Sequence, residues 1–348
     1  MTSQTFRSLS KRFPSLRIGI LGDYCLDRYL EIDPSRSEVS IETGLLVHNV
    51  VHCRNQPGAA GTVLNNVAAL GVGRIYPIGF AGEDGEGWEL TRVLRGKPGV
   101  RMEHFIVTSE RSTWTYAKPL VSGTGETLRE INRLDIKNWT PTPRSVTRRI
   151  RQSLRDLASE LDALIVLEQS ETPEVGVIHS SVLQELADLS KAHPMLRIFG
   201  DSRRGLSHFP PMIFKMNRME LQRMSRLSAV PSRRETSHHM SLLARRLGKQ
   251  VFVTMAEEGM LGCEPTGKCW LAPSLPIREP IDVVGAGDAV MANLAVVLAA
   301  GARTPQALAA ASAAASIVVH QMGTTGVARL EEIQSLLGQC RVQPTVFS

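Results

Sequence analysis

Asp282–Asp288 reads DVVGAGD: an apolar approach, a Gly-Ala-Gly turn, then an aspartate opening a helix of small residues (Ala289, Ala292, Ala295). Small residues at a helix N-terminus leave the backbone N–H groups of Gly285, Ala286 and Gly287 open to a ligand. Those donors and the helix dipole together make an anion site. A carboxylate placed there, Asp288, is suited to take a proton from an alcohol attacking a phosphoryl group. The competing reading is a Gly-rich turn with an ordinary first-turn aspartate favoured by the dipole.

Two further segments carry chemistry of a compatible kind. Gly22–Tyr29 (GDYCLDRY) sets Asp23 and Asp27 at the end of an apolar run, where two carboxylates could hold sugar hydroxyls. Ligands of open α/β sheets bind outside the carboxyl ends of the strands; the alternative is a solvated turn. Gln56–Gly71 (QPGAAGTVLNNVAALG) is a Gly/Ala turn feeding a helix N-terminus, which plain capping and close packing also explain.

The elements that must position these residues follow from periodicity. Arg17–Gly22, Leu45–Val51, Arg74–Gly79, Ala163–Leu167, Leu196–Gly200, Ile213–Met216 and Gln250–Thr254 read as strands. Thr62–Leu70, Val146–Leu161, Val175–Lys191 and Glu235–Leu247 read as helices, a helix starts at Glu220–Arg226, and two Ala-rich helices follow Gly285. Strands alternating with helices predict a parallel, doubly wound sheet. Two β-only stretches, about 28–56 and 101–135, do not fit that rhythm and predict a small separate sheet inserted into the α/β body. The second holds Phe105–Val107, Ser112–Val121, a turn at Ser122–Gly125 and Arg129–Leu134.

Taken together and in this order, these segments resemble the ribokinase-like (PfkB) carbohydrate kinases. DVVGAGD resembles that family's DTxGAGD signature, and PGAAGTVLNNVAALG its N-terminal Gly-rich signature. GDYCLDRY, the PGAA segment and Asn132–Asp135 (NRLD) resemble more narrowly the kinase half of bacterial heptose 7-phosphate kinases. The resemblance runs from about Arg17 to Gly326. It implies a three-layer α/β sandwich in one domain over residues 1–348, with the two β inserts as a lid and a homodimer formed through that lid.

By the same resemblance, Asp288 is the catalytic base and Gly285, Ala286 and Gly287 form the anion hole. Asn217 and Glu220 (NRME) match an NxxE motif that organises Mg²⁺ and the ATP phosphates. Thr254, Glu258 and Gly259 match a loop that contacts the nucleotide. Asp27, Gly58, Ala59, Thr62, Glu168 and, from the lid, Arg133 and Asp135 surround the acceptor sugar. Asp201 and Arg203 (DSR) resemble the family's Asp-Pro-Lys/Arg step, and Asp282 with the loop near Gly323 is where a K⁺ would sit. Five residues depart from the pattern, the first being Ala59, since the family's Gly-Gly becomes Gly58-Ala59. Thr62 replaces a sugar-contacting Asn, Ala256 replaces a loop Gly, and Glu168 with Ser170 stands where the heptose kinases carry Asp and Tyr. The implied reaction is ATP-dependent phosphorylation of a sugar or sugar phosphate. The alternative is a sugar- or nucleotide-binding regulator without turnover.

Composition narrows the rest. The 348 residues are 43% hydrophobic and 21% charged, ordinary globular values that exclude disorder and fibrous repeats. No apolar run approaches the roughly 18 residues of a membrane helix. The net charge of +6 is spread along the chain without a zinc-finger, RNA-recognition or basic-zipper pattern, so no nucleic-acid partner is expected. Five cysteines without a CxxC argue against a disulfide framework or structural zinc. With a basic N-terminus lacking an apolar core, they predict a reducing, cytoplasmic setting. Gly262–Cys269 (GCEPTGKC) nearly matches a P-loop but lacks the hydroxyl and the following helix, and so reads as a hairpin turn. His48, His52 and Cys53 have metal-like spacing only on a helix, and their stretch reads as strand.

Overall fold

The computed structural model of the protein describes residues 1–122, 128–276, 279–340 and 342–347. Its elements begin with α1 (Ser3–Ser10), β1 (Arg17–Gly22), β2 (Tyr24–Ile32), β3 (Glu38–Val39), β4 (Leu46–Val47) and β5 (Val50–Ala59). Next come α2 (Ala60–Ala69), β6 (Arg74–Gly82), α3 (Gly85–Arg95), β7 (Phe105–Thr108), β8 (Trp114–Ser122), β9 (Leu128–Glu130) and β10 (Leu134–Ile136). The middle of the chain holds α4 (Arg144–Leu157), β11 (Ala163–Glu168), α5 (Ser180–Ala192), β12 (Arg197–Ser202), β13 (Ile213–Asn217), α6 (Arg218–Ser225) and α7 (Arg233–Leu247). It ends with β14 (Val251–Thr254), β15 (Met260–Cys263), β16 (Cys269–Ala272), α8 (Ala286–Ala299), α9 (Thr304–Val318), α10 (Leu330–Gln339) and β17 (Thr345–Phe347).

Ten strands form one sheet in the order β17-β16-β15-β14-β13-β12-β11-β1-β6-β7. The pairings from β7 through to β14 are parallel, and those from β14 to β17 antiparallel. Both faces of the parallel part are buried, which is why its strands read as continuous apolar runs. Along β11, Ala163, Ile165 and Leu167 face a core shared with α1, α2, α3, α8, α9 and α10, while Leu164 and Val166 face one shared with α4 to α7. This is the three-layer α/β arrangement. Helices α8 and α9 are almost wholly buried, and their alanines let them pack closely. The register of β1, β11 and β12 (Gly22 beside Leu167, Leu167 beside Asp201) brings the ends of these strands to one edge.

A second sheet, β10-β8-β2-β5 with β9 beside β8, stands over that edge. Only Asp23 separates β1 from β2, so the chain enters the smaller sheet directly.

Several expected boundaries are corrected. Residues 105–108 pair with β6 in the large sheet, so the second β-only stretch divides between the two sheets. Gln56–Ala59, expected as a turn, completes β5, whose edge position accommodates Pro57. The helix expected from Val175 starts at Ser180, because Asp23 and a left-handed Glu174 (φ 65°) hold the preceding residues as a loop. Leu45–Val51 is split between β4 and β5. The turn expected at residues 123–125 lies outside the described residues.

GCEPTGKC does connect the β15–β16 hairpin. Cys263 and Cys269 face each other across it in a disulfide, correcting the expectation drawn from cysteine spacing. Hairpin register, which no CxxC reveals, makes them neighbours. Cys25, Cys53 and Cys340 are free.

Candidate active site

A cavity of about 500 Å³ lies between the carboxyl edge of the large sheet and the smaller sheet. Of the residues singled out from sequence, it collects Asp27, Ala59, Thr62, Arg133, Glu168, Glu220, Gly285 and Asp288. Asp201 and Arg203 also line it, as do Cys25, Tyr116, Lys118, Gln169 and Lys215, which the motifs did not point to.

Asp288 sits in the first turn of α8. Gly285 is the N-cap at φ 82°, a left-handed conformation that strains any residue with a Cβ. No side chain caps this helix end, and Gly285 lines the cavity. The Ala286 N–H already donates to Val283 O at 3.2 Å, which leaves those of Gly285 and Gly287 for a ligand. Burial pushes the Asp288 carboxyl up to about 7. Lys215 and Arg203 pull it down, while Asp201 and Asp27 push it up. A carboxyl so placed exchanges a proton near neutral pH.

Asp27, on β2, is buried and ion-paired with Lys118 of β8 at 3.0 Å. Arg133 stacks on Tyr116 at 4.2 Å and bonds Asp135 at 2.7 Å. Asp135 stays outside the cavity lining and also pairs with Lys137. Burial pushes the Tyr116 phenol up to about 12, which keeps it protonated.

Asp23 does not share the cavity with Asp27, against the sequence expectation. Its carboxylate accepts the backbone N–H groups of Gln169 (2.8 Å), Ser170 (2.9 Å) and Val177 (2.6 Å). It is buried, and it fixes the loop following Glu168. Glu168 is itself fully engaged: it accepts from Arg204 (2.8 Å), Ser202 (2.5 Å) and His208 (3.0 Å). It therefore lines the cavity as a neutralised wall.

The NxxE spacing of Asn217 and Glu220 is realised as a capping box at the start of α6. Asn217 Oδ1 accepts the Glu220 N–H at 2.9 Å, and Glu220 Oε2 accepts the Asn217 N–H at 2.7 Å. Burial, reinforced by Asp201, raises the Glu220 carboxyl. Thr254 ends β14, and Gly259 follows the short turn Ala256–Glu258; neither lines the cavity. Glu258 bridges Arg218 (2.5 Å) and Arg233 (3.0 Å), tying the starts of α6 and α7 together. Asp282 accepts from the N–H groups of Val284 (3.0 Å) and Gly323 (3.3 Å).

Two departures from the expected motifs carry a backbone signature. Ala59 (φ 52°) and Ala256 (φ 49°) stand where the resemblance expects glycine, and both keep a positive φ. The backbone path that glycine permits is thus retained with alanine in it.

The lining contains six carboxylates (Asp27, Glu130, Glu168, Asp201, Glu220, Asp288) against four cations (Lys118, Arg133, Arg203, Lys215). The chain's net positive charge is therefore not concentrated here. Lys215 is buried, with its ammonium 2.7 Å from Asp201. Burial lowers it, but Asp201, Asp288 and Glu220 outweigh that and leave it above the ordinary lysine value. Its only sequence signal is a charge inside the apolar run of β13. Among the described residues no three His, Cys, Asp or Glu side chains cluster to hold a metal ion, and His48, His52 and Cys53 form no such group. No described helix is long and apolar enough to cross a membrane.

Comparison with known proteins agrees with this geometry. The curated relatives include the Bifunctional protein HldE of Gluconobacter oxydans, 28% identical over 328 residues, covering 92% of this chain and 64% of that protein. The HldE of Azorhizobium caulinodans is 28% identical over 315 residues, covering 90% and 63%. The chain thus spans somewhat less than two thirds of the length of these relatives. Among solved structures, Arabidopsis thaliana ribokinase complexed with ribose and ATP superposes with a TM-score of 0.66 at 18% identity, covering 92% of this chain and 98% of that one. Escherichia coli phosphofructokinase-2 in complex with potassium gives 0.72 at 16%, covering 93% and 98%. These likenesses show a ribokinase-like fold. Residues 25–330 match the family described as pfkB family carbohydrate kinase, and with the helix-start aspartate, the open Gly-Ala-Gly turn and the two-sheet cavity in place, the chain belongs to that family of sugar kinases.

Proposed function

We propose that this kinase transfers the γ-phosphoryl group of ATP to a hydroxyl of a sugar or sugar phosphate held under the smaller sheet. The observation that carries this reading is Asp288 in the first turn of α8, behind the open Gly285–Gly287 turn and facing the cavity that also holds Asp27. Asp288 takes the hydroxyl proton as the acceptor oxygen bonds phosphorus and the bond to the β-phosphate oxygen of ADP breaks. The N–H groups of Gly285 and Gly287 receive the charge on the transferred oxygens, joined by that of Ala286 once it leaves Val283 O. Asp27, Gly58, Ala59, Thr62 and Arg133 position the acceptor, with Asp135 and Glu168 fixing the residues around it.

Thr254, Glu258 and Gly259 border the nucleotide at the ends of β13 and β14. Mg²⁺ neutralises the nucleotide phosphates when bound. Asn217 and Glu220 would hold it through water, which suits a donor set without a three-ligand cage. Asp282, whose carboxylate retains lone pairs beyond its two N–H partners, is the proposed K⁺ neighbour. The smaller sheet, acting as a lid, excludes water so that ATP is not simply hydrolysed. The apolar residues Val39, Ile41, Leu45 and Leu46 are exposed on the separate two-stranded β3–β4 hairpin that connects β2 to β5, which supports pairing of two copies through the lid.

Arg203 and Arg133 favour an acceptor that already carries a phosphate, as a heptose 7-phosphate does. The test is a panel of free and phosphorylated sugars incubated with ATP and Mg²⁺, with products read by phosphorus NMR. A new sugar phosphate ester, absent with Asp288→Asn, is expected. Nucleotide binding with no ester from any acceptor would replace this reading with that of a binding regulator.

A further inference from the structure

Lys215 has no role in the reading above. Along β13, Phe214 and Met216 enter the core on the α4–α7 side, whereas Ile213 enters the core on the α8 side. Strand alternation puts Lys215 on the face of Ile213, toward α8 and the cavity edge. The residue is only 7% exposed. An ammonium has three donors. One goes to Asp201 Oδ2 at 2.7 Å, and among the described residues no other acceptor takes a second. A Cβ built on Gly287 would lie 3.0 Å from Lys215 Nζ, so the ammonium rests against the Gly-Ala-Gly turn, and the missing side chain at 287 is what lets it approach. The charges of Asp201, Asp288 and Glu220 converge on this ammonium.

We propose that Lys215 is a phosphoryl-contacting cation of this site, oriented by Asp201 so that its unused donors meet the oxygens of the group being transferred. The proposal rests on the kinase reading above and assigns to it a fixed charge beyond the backbone turn. A buried ammonium is costly to desolvate, and one carboxylate, with two donors left idle, compensates it incompletely. An incoming phosphoryl group would complete the set. Lysine binds phosphate as a point charge, so arginine should replace it in part.

The experiment compares Lys215→Met, Lys215→Arg and the double variant Lys215→Met/Asp201→Asn, the last leaving no unpaired buried charge. One arm measures kcat and acceptor KM. The other measures binding of Mg·ADP with aluminium fluoride, a mimic of the transferred group that needs no acceptor. We expect Lys215→Met and the double variant to lose about 100-fold or more in kcat, with acceptor KM little changed, as for loss of one preorganised donor. Fluoroaluminate binding should weaken about 10-fold or more, and Lys215→Arg should recover part of both. A folded double variant with wild-type kcat, or with unchanged fluoroaluminate binding, overturns the role of Lys215 and leaves the kinase reading standing. Weakened fluoroaluminate binding in the variants of a wild type that phosphorylates nothing in the panel would support Lys215 and sink the acceptor assignment. A wild type that binds no nucleotide–fluoride complex overturns both.

Discussion

Replacing Asp288 with Asn should stabilise the protein above neutral pH while removing its activity. The folded protein holds the Asp288 proton to about pH 7, against an ordinary value of 3.8. Between those limits the folded state binds more protons than the unfolded chain, so unfolding free energy falls as pH rises. The stability is fully present below about pH 3.8 and is lost by about pH 7. A gap of about three pH units corresponds to a ceiling of ~4 kcal/mol. From pH 5 to pH 7 the window is about two of those units, or ~2.7 kcal/mol, and solvent in the cavity reduces what is realised to about 2 kcal/mol between pH 5 and pH 8. Asparagine keeps the shape and cannot ionise. Urea unfolding of both proteins at pH 5 and pH 8 gives the comparison, with equal slopes required for it to hold. The asparagine variant should gain on the wild type as pH rises. A stability difference that stays constant across that range refutes the argument that burial of this carboxylate is what raises it.

Other changes act through named contacts. Glu168→Gln leaves Arg204 and His208 without their shared carboxylate, and thermal unfolding should report a loss of about 3 kcal/mol. Gly285→Ala places a Cβ at φ 82°, costing about 1–2 kcal/mol and misaligning the turn, so kcat should fall more than stability. The opposite change should help at positions 59 and 256. Ala59→Gly and Ala256→Gly each remove left-handed strain of about 1–2 kcal/mol, less the roughly 0.5–1 kcal/mol of added glycine entropy. Denaturant midpoints that drop for either glycine variant would contradict the strain assigned to these backbones.

Much of this architecture was legible because the parallel strands are buried on both faces and therefore read as apolar runs ending in Gly, Asp or Asn. The small-residue start of α8 was legible for the same kind of reason, since open N–H groups need short side chains beside them. What was hidden depended on distant register. Asp23 reads like Asp27 in sequence, yet the next strand's loop folds over it and takes its oxygens with three backbone N–H groups. That capture also delays α5 to Ser180, although the apolar spacing already looks helical from Val175. Cys263 and Cys269 meet only because of hairpin register. Asn217 and Glu220 carry the spacing of a capping box, and the structure realises it. Lys215 was invisible as a functional residue because a lone charge in a strand gives no hint of the helix start it will meet. The net charge of +6, which suited a protein that handles phosphates, lies mostly away from a cavity whose own lining has more acids than bases.

In the proposed mechanism Asp288 accepts the proton of the attacking hydroxyl. The pH dependence of kcat/KM for the acceptor tests it most directly, because that ratio reports the ionisation of groups in the free enzyme. A base with its carboxyl held at about 7 must be deprotonated to act. We expect kcat/KM to rise with pH as a single-proton limb with a midpoint near 7, and Asp288→Asn to show no such limb and to lie about 100-fold or more below the wild-type plateau. A wild-type profile that is flat from pH 5 to pH 8, or an asparagine variant that keeps the limb, would contradict it.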